Sequence, residues 1–300
     1  MNVEVGFVGL GTMGLPMARN LLRAGIKVQG VDLSADARSA LESEGGRAVS
    51  SAADIDADII VTMLPTGRHV EEALFGSGGY LETGGRTGAT VVNMSTILPS
   101  ECDRIAGRLE SAGVHMVDAP VGRSFVHAQQ GTLLIMAGGE SKDIERVQPL
   151  FDAMGELTVR CGKVGAGTRM KVVNNYVSMA LNALTAEGLV LAEASGLDLN
   201  VALDVMRGTS AGAGHMTATY PKRVLRGDLK PGFSVDLAHK DMSLALDMAS
   251  DLHAPLAIGA AAREVYSATR AAGHGRDDFT AVYLVLRQAA GLKEYTPLLS

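Results

Sequence analysis

Cysteine is scarce in this chain: Cys102 and Cys161 are the only two in 300 residues, far apart and outside any Cys-x-x-Cys or Cys/His cluster. That excludes a disulfide framework and a cysteine-rich zinc site, and it leaves both residues as small buried hydrophobes. No metal is expected. Runs of Lys and Arg are also missing, and the formal net charge is −6, from 27 basic and 33 acidic residues. A surface built to track a phosphate backbone is therefore excluded, and nucleic acid is not a predicted partner. No stretch of about 20 residues is free of charged or amide side chains, which predicts no membrane span. Tryptophan is absent and aromatics total 4%, whereas glycine reaches 36 residues, well above the ~7% norm. Tight turns and close backbone approaches must be used heavily. The apolar run that starts at residue 3 leaves no room for a charged segment followed by an apolar one, so a cytoplasmic protein is expected.

Hydrophobic residues make up 47% of the chain and the mean hydropathy is +0.16, enough for two ordinary cores at roughly 150 residues per domain. Up to about residue 160, short β-rich runs alternate with helical stretches, the pattern of a parallel sheet wrapped by helices. Strands are predicted over 3–8, 26–31, 58–63, 90–94, 115–118 and 132–137, with helices over 13–24, about 67–74 and 99–112. Pro99 stands at the first helical position of the last of these. Beyond Gly165-Ala-Gly167 the sequence turns to long Ala/Leu/Met segments with few β-branched clusters. The predicted fold is α/β: a doubly wound Rossmann sheet over residues 1–162, followed by an all-helical domain over 163–300.

The run Val5-Gly-Phe-Val-Gly9-Leu10-Gly11-Thr12-Met13-Gly14 sets Gly-x-Gly-x-x-Gly between a predicted strand and a predicted helix. Gly9 permits the turn, Gly11 lets a pyrophosphate approach the backbone at the helix N-terminus, and Gly14 lets helix and strand pack closely. Asp32 ends the next strand, where a carboxylate accepts hydrogen bonds from the adenosine ribose. A 2′-phosphate there would meet like charge, worth up to about 4 kcal/mol at 4 Å. The predicted cofactor is NAD rather than NADP. Met63-Leu64-Pro65 and Ser95-Thr96 follow predicted strands and so fall at the ligand-binding edge of such a sheet. Thr96 reads equally as a cofactor contact or as a cap for the helix that begins near Pro99.

A different signal lies at residues 171–185. At about 100° per residue, Lys171, Asn174, Asn175, Ser178, Asn182 and Thr185 fall within about 60° of one line. Val172, Val173, Val177, Ala180, Leu181 and Leu184 occupy the rest of the circumference. Such a helix is expected to be buried, with its amide-and-hydroxyl stripe on a wet cavity or ligand. A lone lysine there has its pKa drawn down and can donate a proton to an oxygen becoming an alkoxide. Asn174, Asn175 and Ser178 would hold the substrate.

Taken in order, Gly9-Leu-Gly-Thr-Met-Gly14, Asp118-Ala-Pro-Val121, Gly165-x-Gly167-x-x-x-Lys171-x-x-Asn174-Asn175 and Lys240-Asp241 resemble the motifs of the β-hydroxyacid dehydrogenase family across nearly the whole chain. The resemblance implies that Lys171 is catalytic and that Lys240 lies by cofactor and substrate. In that family Asp-x-Pro-Val usually continues with Ser-Gly-Gly, whose backbone binds a substrate carboxylate. Here the run is Gly122-Arg123-Ser124. With Gly212-Ala-Gly214-His215 and Leu237-Ala-His-Lys240-Asp241, it is similar to the subgroup that reduces 3-sulfolactaldehyde to 2,3-dihydroxypropane-1-sulfonate. Two other readings of Arg123 stay open: a clamp for a carboxylate such as succinic, tartronate or methylmalonate semialdehyde, and a surface arginine with no substrate role. At the level of class, an imine or sugar-phosphate oxidoreductase and a non-catalytic NAD-binding regulator are the alternatives. Lys171 discriminates against both. His215 sits in a glycine-flanked segment read as a loop and is left without a catalytic role. The Ala/Leu-rich second domain predicts a homodimer or homotetramer.

Overall fold

A computed structural model describes residues 4–84, 86–292 and 295–297; the first residue of the predicted opening strand, Val3, lies outside them. The chain divides into two compact units, Met1–Tyr176 and Val177–Ser300. The described residues of the first form a nine-stranded sheet in the order β3-β2-β1-β4-β5-β6-β8-β7, with β9 beside β8. The strands are β1 (Glu4–Val8), β2 (Lys27–Val31), β3 (Arg47–Ala48), β4 (Ile59–Thr62), β5 (Thr90–Asn93), β6 (His115–Asp118), β7 (Val121–Gly122), β8 (Leu133–Gly138) and β9 (Gly155–Gly162). Pairing is parallel from β3 through β6 and turns antiparallel where β6 meets β8. The order reverses at β1/β4, the crevice where doubly wound sheets bind ligands.

Successive side chains of a strand face opposite sides of the sheet, and the core divides accordingly. Val5, Phe7, Val61, Val92 and Val117 pack on one face, and Val8, Ile60, Val91 and Met116 on the other. The first face is covered by α1 (Gly14–Arg23) and α6 (Ser141–Met154), through Met17, Leu21, Val147 and Phe151. The second is covered by α3 (Gly67–Phe75) and α4 (Pro99–Ser111), through Val70, Leu74, Ile105 and Leu109. Burial on both faces is why these strands read as continuous apolar runs. The remaining helices of this unit are α2 (Ala35–Ser43) and α5 (Phe125–Gln130). Strand β9 is absent from the sequence prediction because Glu156, Thr158 and Arg160 interrupt its apolar pattern; pairing along β8 holds it in place.

The second unit is helical, as expected: the end of α7 (Ala166–Ala194), then α8 (Leu199–Gly208), α9 (Tyr220–Lys222), α10 (Val235–Asp251), α11 (Ala257–Thr269) and α12 (Val282–Ala289). The carboxylate of Glu187 on α7 accepts the N–H groups of Ile258 and Gly259 at 2.9 and 3.1 Å, satisfying donors at the start of α11. Residues Ser210–Thr219 form a widely wound helical segment rather than the expected loop around His215.

Helix α7 bears on three expectations. The two compact units divide inside it, after Tyr176, because its first turns are bonded into the sheet unit. It is long and apolar enough by length and composition to cross a membrane, which the absence of a wholly uncharged, amide-free stretch did not exclude. It was also expected to be buried, yet no residue from Arg169 to Ala186 is buried within the single chain. Tyr176 and Met179 are 75% and 63% exposed.

Candidate active site

The glycine-rich loop has the geometry its three roles require. Gly9 has φ +98°, and a Cβ there would strike the Met63 carbonyl. At Gly14 a Cβ would strike the Gly9 carbonyl and lie 3.1 Å from Phe7 Cε1. Around Gly11 no atom lies within 4 Å of such a Cβ, so the backbone is open there. Met13 supplies no side-chain cap to α1; Leu15 N–H is taken by the Gly11 carbonyl and Pro16 has no N–H, so the helix offers the Gly14 N–H and its positive dipole end beside that opening. This arrangement fits a pyrophosphate. Thr12 is exposed and Met13 is half-buried against the core. Leu10 is buried; its N–H donates to Asp32 Oδ2 at 2.7 Å, while Ser34 N–H donates to Oδ1 at 2.8 Å. Asp32 therefore ties the end of β2 to the loop, and each oxygen keeps lone-pair capacity for a ribose hydroxyl.

Along the same sheet edge Met63, Leu64 and Pro65 follow β4, and Leu64 N–H donates to Ser95 Oγ at 2.9 Å. A cavity of about 480 Å³ is lined by Gly9, Asp32, Leu64, Pro65, His69 and Glu72, among others, and by no described Lys or Arg. Thr96 is exposed, and the residue capping α4 is Leu98, whose N–H is taken by Glu101. The capping alternative for Thr96 therefore falls away. Asn93 was missed by the sequence reading. It is fully buried at the end of β5, its Oδ1 accepts from Thr62 Oγ1 and Ser95 N–H, and its Nδ2 has no partner among the described residues. A buried orphan donor at the carboxyl edge of a doubly wound sheet fits a site completed by a ligand. An amide closing a strand two residues before Ser95-Thr96 was the signal available.

Asp118 ends β6 in register with Asn93. Its carboxylate accepts Gly165 N–H and Thr168 N–H, both at 2.6 Å, so a buried anion holds the N-terminus of α7. Burial raises the Asp118 carboxyl above the usual range, and those two bonds oppose the rise. The Gly165-x-Gly167 spacing has a steric cause. Gly165 has φ +88°, and a Cβ on Gly167 would strike Met136 O and lie 2.6 Å from Asp118 O. Lys171 lies one turn beyond this anchor. It makes no ion pair or side-chain hydrogen bond among the described residues, and desolvation pushes its ammonium below the ordinary lysine value. Asn175 is half-buried and Asn174 exposed, with Asn174 Nδ2 at 3.4 Å from Asn175 Oδ1. Cys102 is wholly buried and its thiol is pushed up to about 12 by burial, an inert hydrophobe as expected.

Gly122 ends β7 and is buried; Arg123 follows with φ +76°, in the glycine-favoured region. Its guanidinium is bonded to the Thr132 carbonyl at 2.6 Å and to Glu156. Ser124 Oγ lies 2.9 Å from His127 Nδ1 at the start of α5. The glycine loop, Asp32, Met63–Pro65, Thr96, Gly122–Ser124, Lys171, Asn174 and Asn175 belong to the first unit. Ser178 and Lys240 belong to the second. Lys240, on α10, is largely exposed, with Nζ 3.0 Å from Asp241 Oδ1. His215 stands edge-on to Phe279, its Nδ1 buried without a partner among the described residues, in a cavity of about 1030 Å³ that also takes in Tyr266 and Asp278.

A phosphate-binding loop followed by a strand-end acid marks a dinucleotide-dependent oxidoreductase. Comparison with known proteins narrows the class. Residues 4–165 match the family model of the NAD binding domain of 6-phosphogluconate dehydrogenase, and residues 165–286 that of the NAD-binding domain of NADP-dependent 3-hydroxyisobutyrate dehydrogenase. The chain is 47% identical over 290 residues to 3-sulfolactaldehyde reductase of Escherichia coli K12, covering 96% of this chain and 97% of that one. It is 34% identical to human mitochondrial 3-hydroxyisobutyrate dehydrogenase, covering 95% and 87% of the two chains. Among solved structures, Mycobacterium tuberculosis 3-hydroxyisobutyrate dehydrogenase with L-serine matches at TM-score 0.65 and 32% identity, over 96% and 100% of the two chains. An imine reductase from Pseudomonas sp. matches at TM-score 0.83 and 22% identity, over 95% and 100%, and so shares the fold. The chain belongs to the β-hydroxyacid dehydrogenase family. It is an oxidoreductase acting on CH–OH groups, and its cofactor is NAD.

Proposed function

We propose that the protein is an NADH-dependent reductase of a small anionic aldehyde, 3-sulfolactaldehyde, yielding 2,3-dihydroxypropane-1-sulfonate. When bound, NADH supplies the hydride. Lys171, without an ion pair among the described residues and partly desolvated, gives its proton to the aldehyde oxygen as that oxygen gains charge. Asn174, Asn175 and Ser178 orient the substrate with neutral groups that do not compete for the proton, and Lys240 adds positive charge for cofactor and substrate. Gly122, Arg123 and Ser124 take the anionic end. The Asp32 carboxylate favours NAD over its 2′-phosphate form, and Arg38 beside it is engaged by the Asp32 and Leu33 carbonyls. A lysine at this position favours carbonyl reduction over imine reduction and over a regulator without chemistry. The apolar face of α7, exposed in the single chain, is read as covered by a second copy in a homodimer or homotetramer. A soluble enzyme of the cytoplasm is part of the same reading.

The carrying observation is the cation at position 123, held in a glycine-type backbone conformation. A left-handed conformation costs a non-glycine residue about 1–2 kcal/mol, so a bulky guanidinium there calls for a function. The 47% identity to a sulfolactaldehyde reductase is consistent with a sulfonate as its partner. Arg123→Gly tests this. Loss of charge-assisted bonds to a desolvated anion should lower kcat/KM for sulfolactaldehyde by about 2–4 kcal/mol. The ratio of sulfonate to carboxylate-semialdehyde activity should fall at least ~10-fold. Equal losses on both would return the assignment to a carboxylate semialdehyde.

A further inference from the structure

Both hydrogen bonds of the Arg123 guanidinium leave from one nitrogen: Nη1 donates to the Thr132 carbonyl and to Glu156 Oε2. Among the described residues Nη2 and Nε donate to nothing. Those two nitrogens form the edge of the guanidinium that meets an oxyanion in bidentate fashion. Glu156 owes its place to an irregularity of the sheet. Leu133 pairs with Gly155 and Leu134 with Leu157, so Glu156 is the extra residue of a bulge between β8 and β9. Bulges re-aim a side chain, and they recur beside active sites. Two departures from regular backbone, the bulge at Glu156 and the left-handed Arg123, thus serve a single ion pair. Glu156 is 61% exposed at its side chain, and such pairs contribute only about 0–1 kcal/mol to stability. Stability alone does not account for the arrangement.

We propose that Glu156 is the positioning residue of Arg123: it pins Nη1 and thereby presents the Nε/Nη2 edge to the anionic end of the substrate. This rests on the reading that Arg123 binds that anion. Arg123 in turn holds the Glu156 carboxyl below the usual carboxylate range. The pin is a specificity device, because it acts on the substrate's charged end and leaves the reacting carbon alone.

The test is NADH-oxidation kinetics with 3-sulfolactaldehyde and with uncharged glyceraldehyde. Glu156→Ala should raise KM for sulfolactaldehyde about 3- to 10-fold, the range expected when one freed side chain must be re-ordered on binding. Its kcat should change less than its KM, and kcat/KM for glyceraldehyde should stay put. Glu156→Gln keeps an acceptor at the same reach and should recover most of the KM. In an Arg123→Gly background Glu156→Ala should have no further effect. A wild-type KM in Glu156→Ala, beside an Arg123→Gly enzyme that has lost its preference for the anionic aldehyde, overturns the positioning role and leaves the anion reading standing. An Arg123→Gly enzyme that keeps the preference overturns the anion reading itself. Equal falls in kcat for both aldehydes in Glu156→Ala mean a structural residue and overturn the proposal.

Discussion

Replacing each glycine of the nucleotide loop with alanine should give three different proteins. At Gly14 the new methyl would meet the Gly9 carbonyl and lie 3.0 Å from the Gly9 carbonyl carbon, both backbone atoms that no rotamer change can move. Overpacking of this kind costs about 1–3 kcal/mol or more. At Gly9 a clash with the Met63 carbonyl adds to a φ of +98°, which costs an L-residue about 1–2 kcal/mol. Both variants should melt several degrees lower, at about 2–4 °C per kcal/mol for a unit of this size. Gly11→Ala is the informative one. Its methyl meets nothing within 4 Å and its φ lies outside the left-handed range. Removing a glycine from the unfolded ensemble should therefore leave stability unchanged or raise it by up to about 1 kcal/mol. The same open space is where a pyrophosphate must approach, so NADH affinity should fall at least ~10-fold, about 1.4 kcal/mol. Thermal melts with and without NADH, together with a fluorescence titration, separate the two quantities. Wild-type NADH affinity in Gly11→Ala would refute the placement of the pyrophosphate.

Lys171→Ala should lower kcat by about 10²–10⁴-fold while NADH titrates normally; a loss within threefold would assign the proton to another group. Because desolvation lowers the Lys171 pKa, aldehyde reduction should decline as pH rises through a value below that of ordinary lysine, where the donor is lost. Alcohol oxidation should show the opposite slope, and parallel profiles in both directions would exclude Lys171 as the titrating group. Asp32→Ser with Leu33→Arg should acquire NADPH activity, measured as the NADPH/NADH ratio of kcat/KM; a wild-type enzyme that already prefers NADPH would contradict the assignment. Tyr176→Glu with Met179→Glu, placing charge on the exposed face of α7, should shift the mass measured by light scattering toward the monomer. An unchanged oligomer, or a monomeric wild type, would contradict the assembly through α7.

The sequence alone determined the doubly wound sheet, the helical second unit and the nucleotide loop. These are written in local terms: apolar strand runs, helical spacing, and glycines at offsets where backbone geometry leaves no other residue. Lys171 was legible because a lone cation among short amides on an apolar helix is a strong local contrast. Only the tertiary structure decided how that lysine is anchored, since Asp118 lies 47 residues before its partner Gly165 and nothing near either announces the bond. It also decided β9 and the aim of Glu156, which depend on a register shift against β8 rather than on a pattern of their own. The exposure of α7 was beyond the sequence for a related reason. Apolar periodicity says that a face will be covered, and only the fold tells whether the same chain covers it.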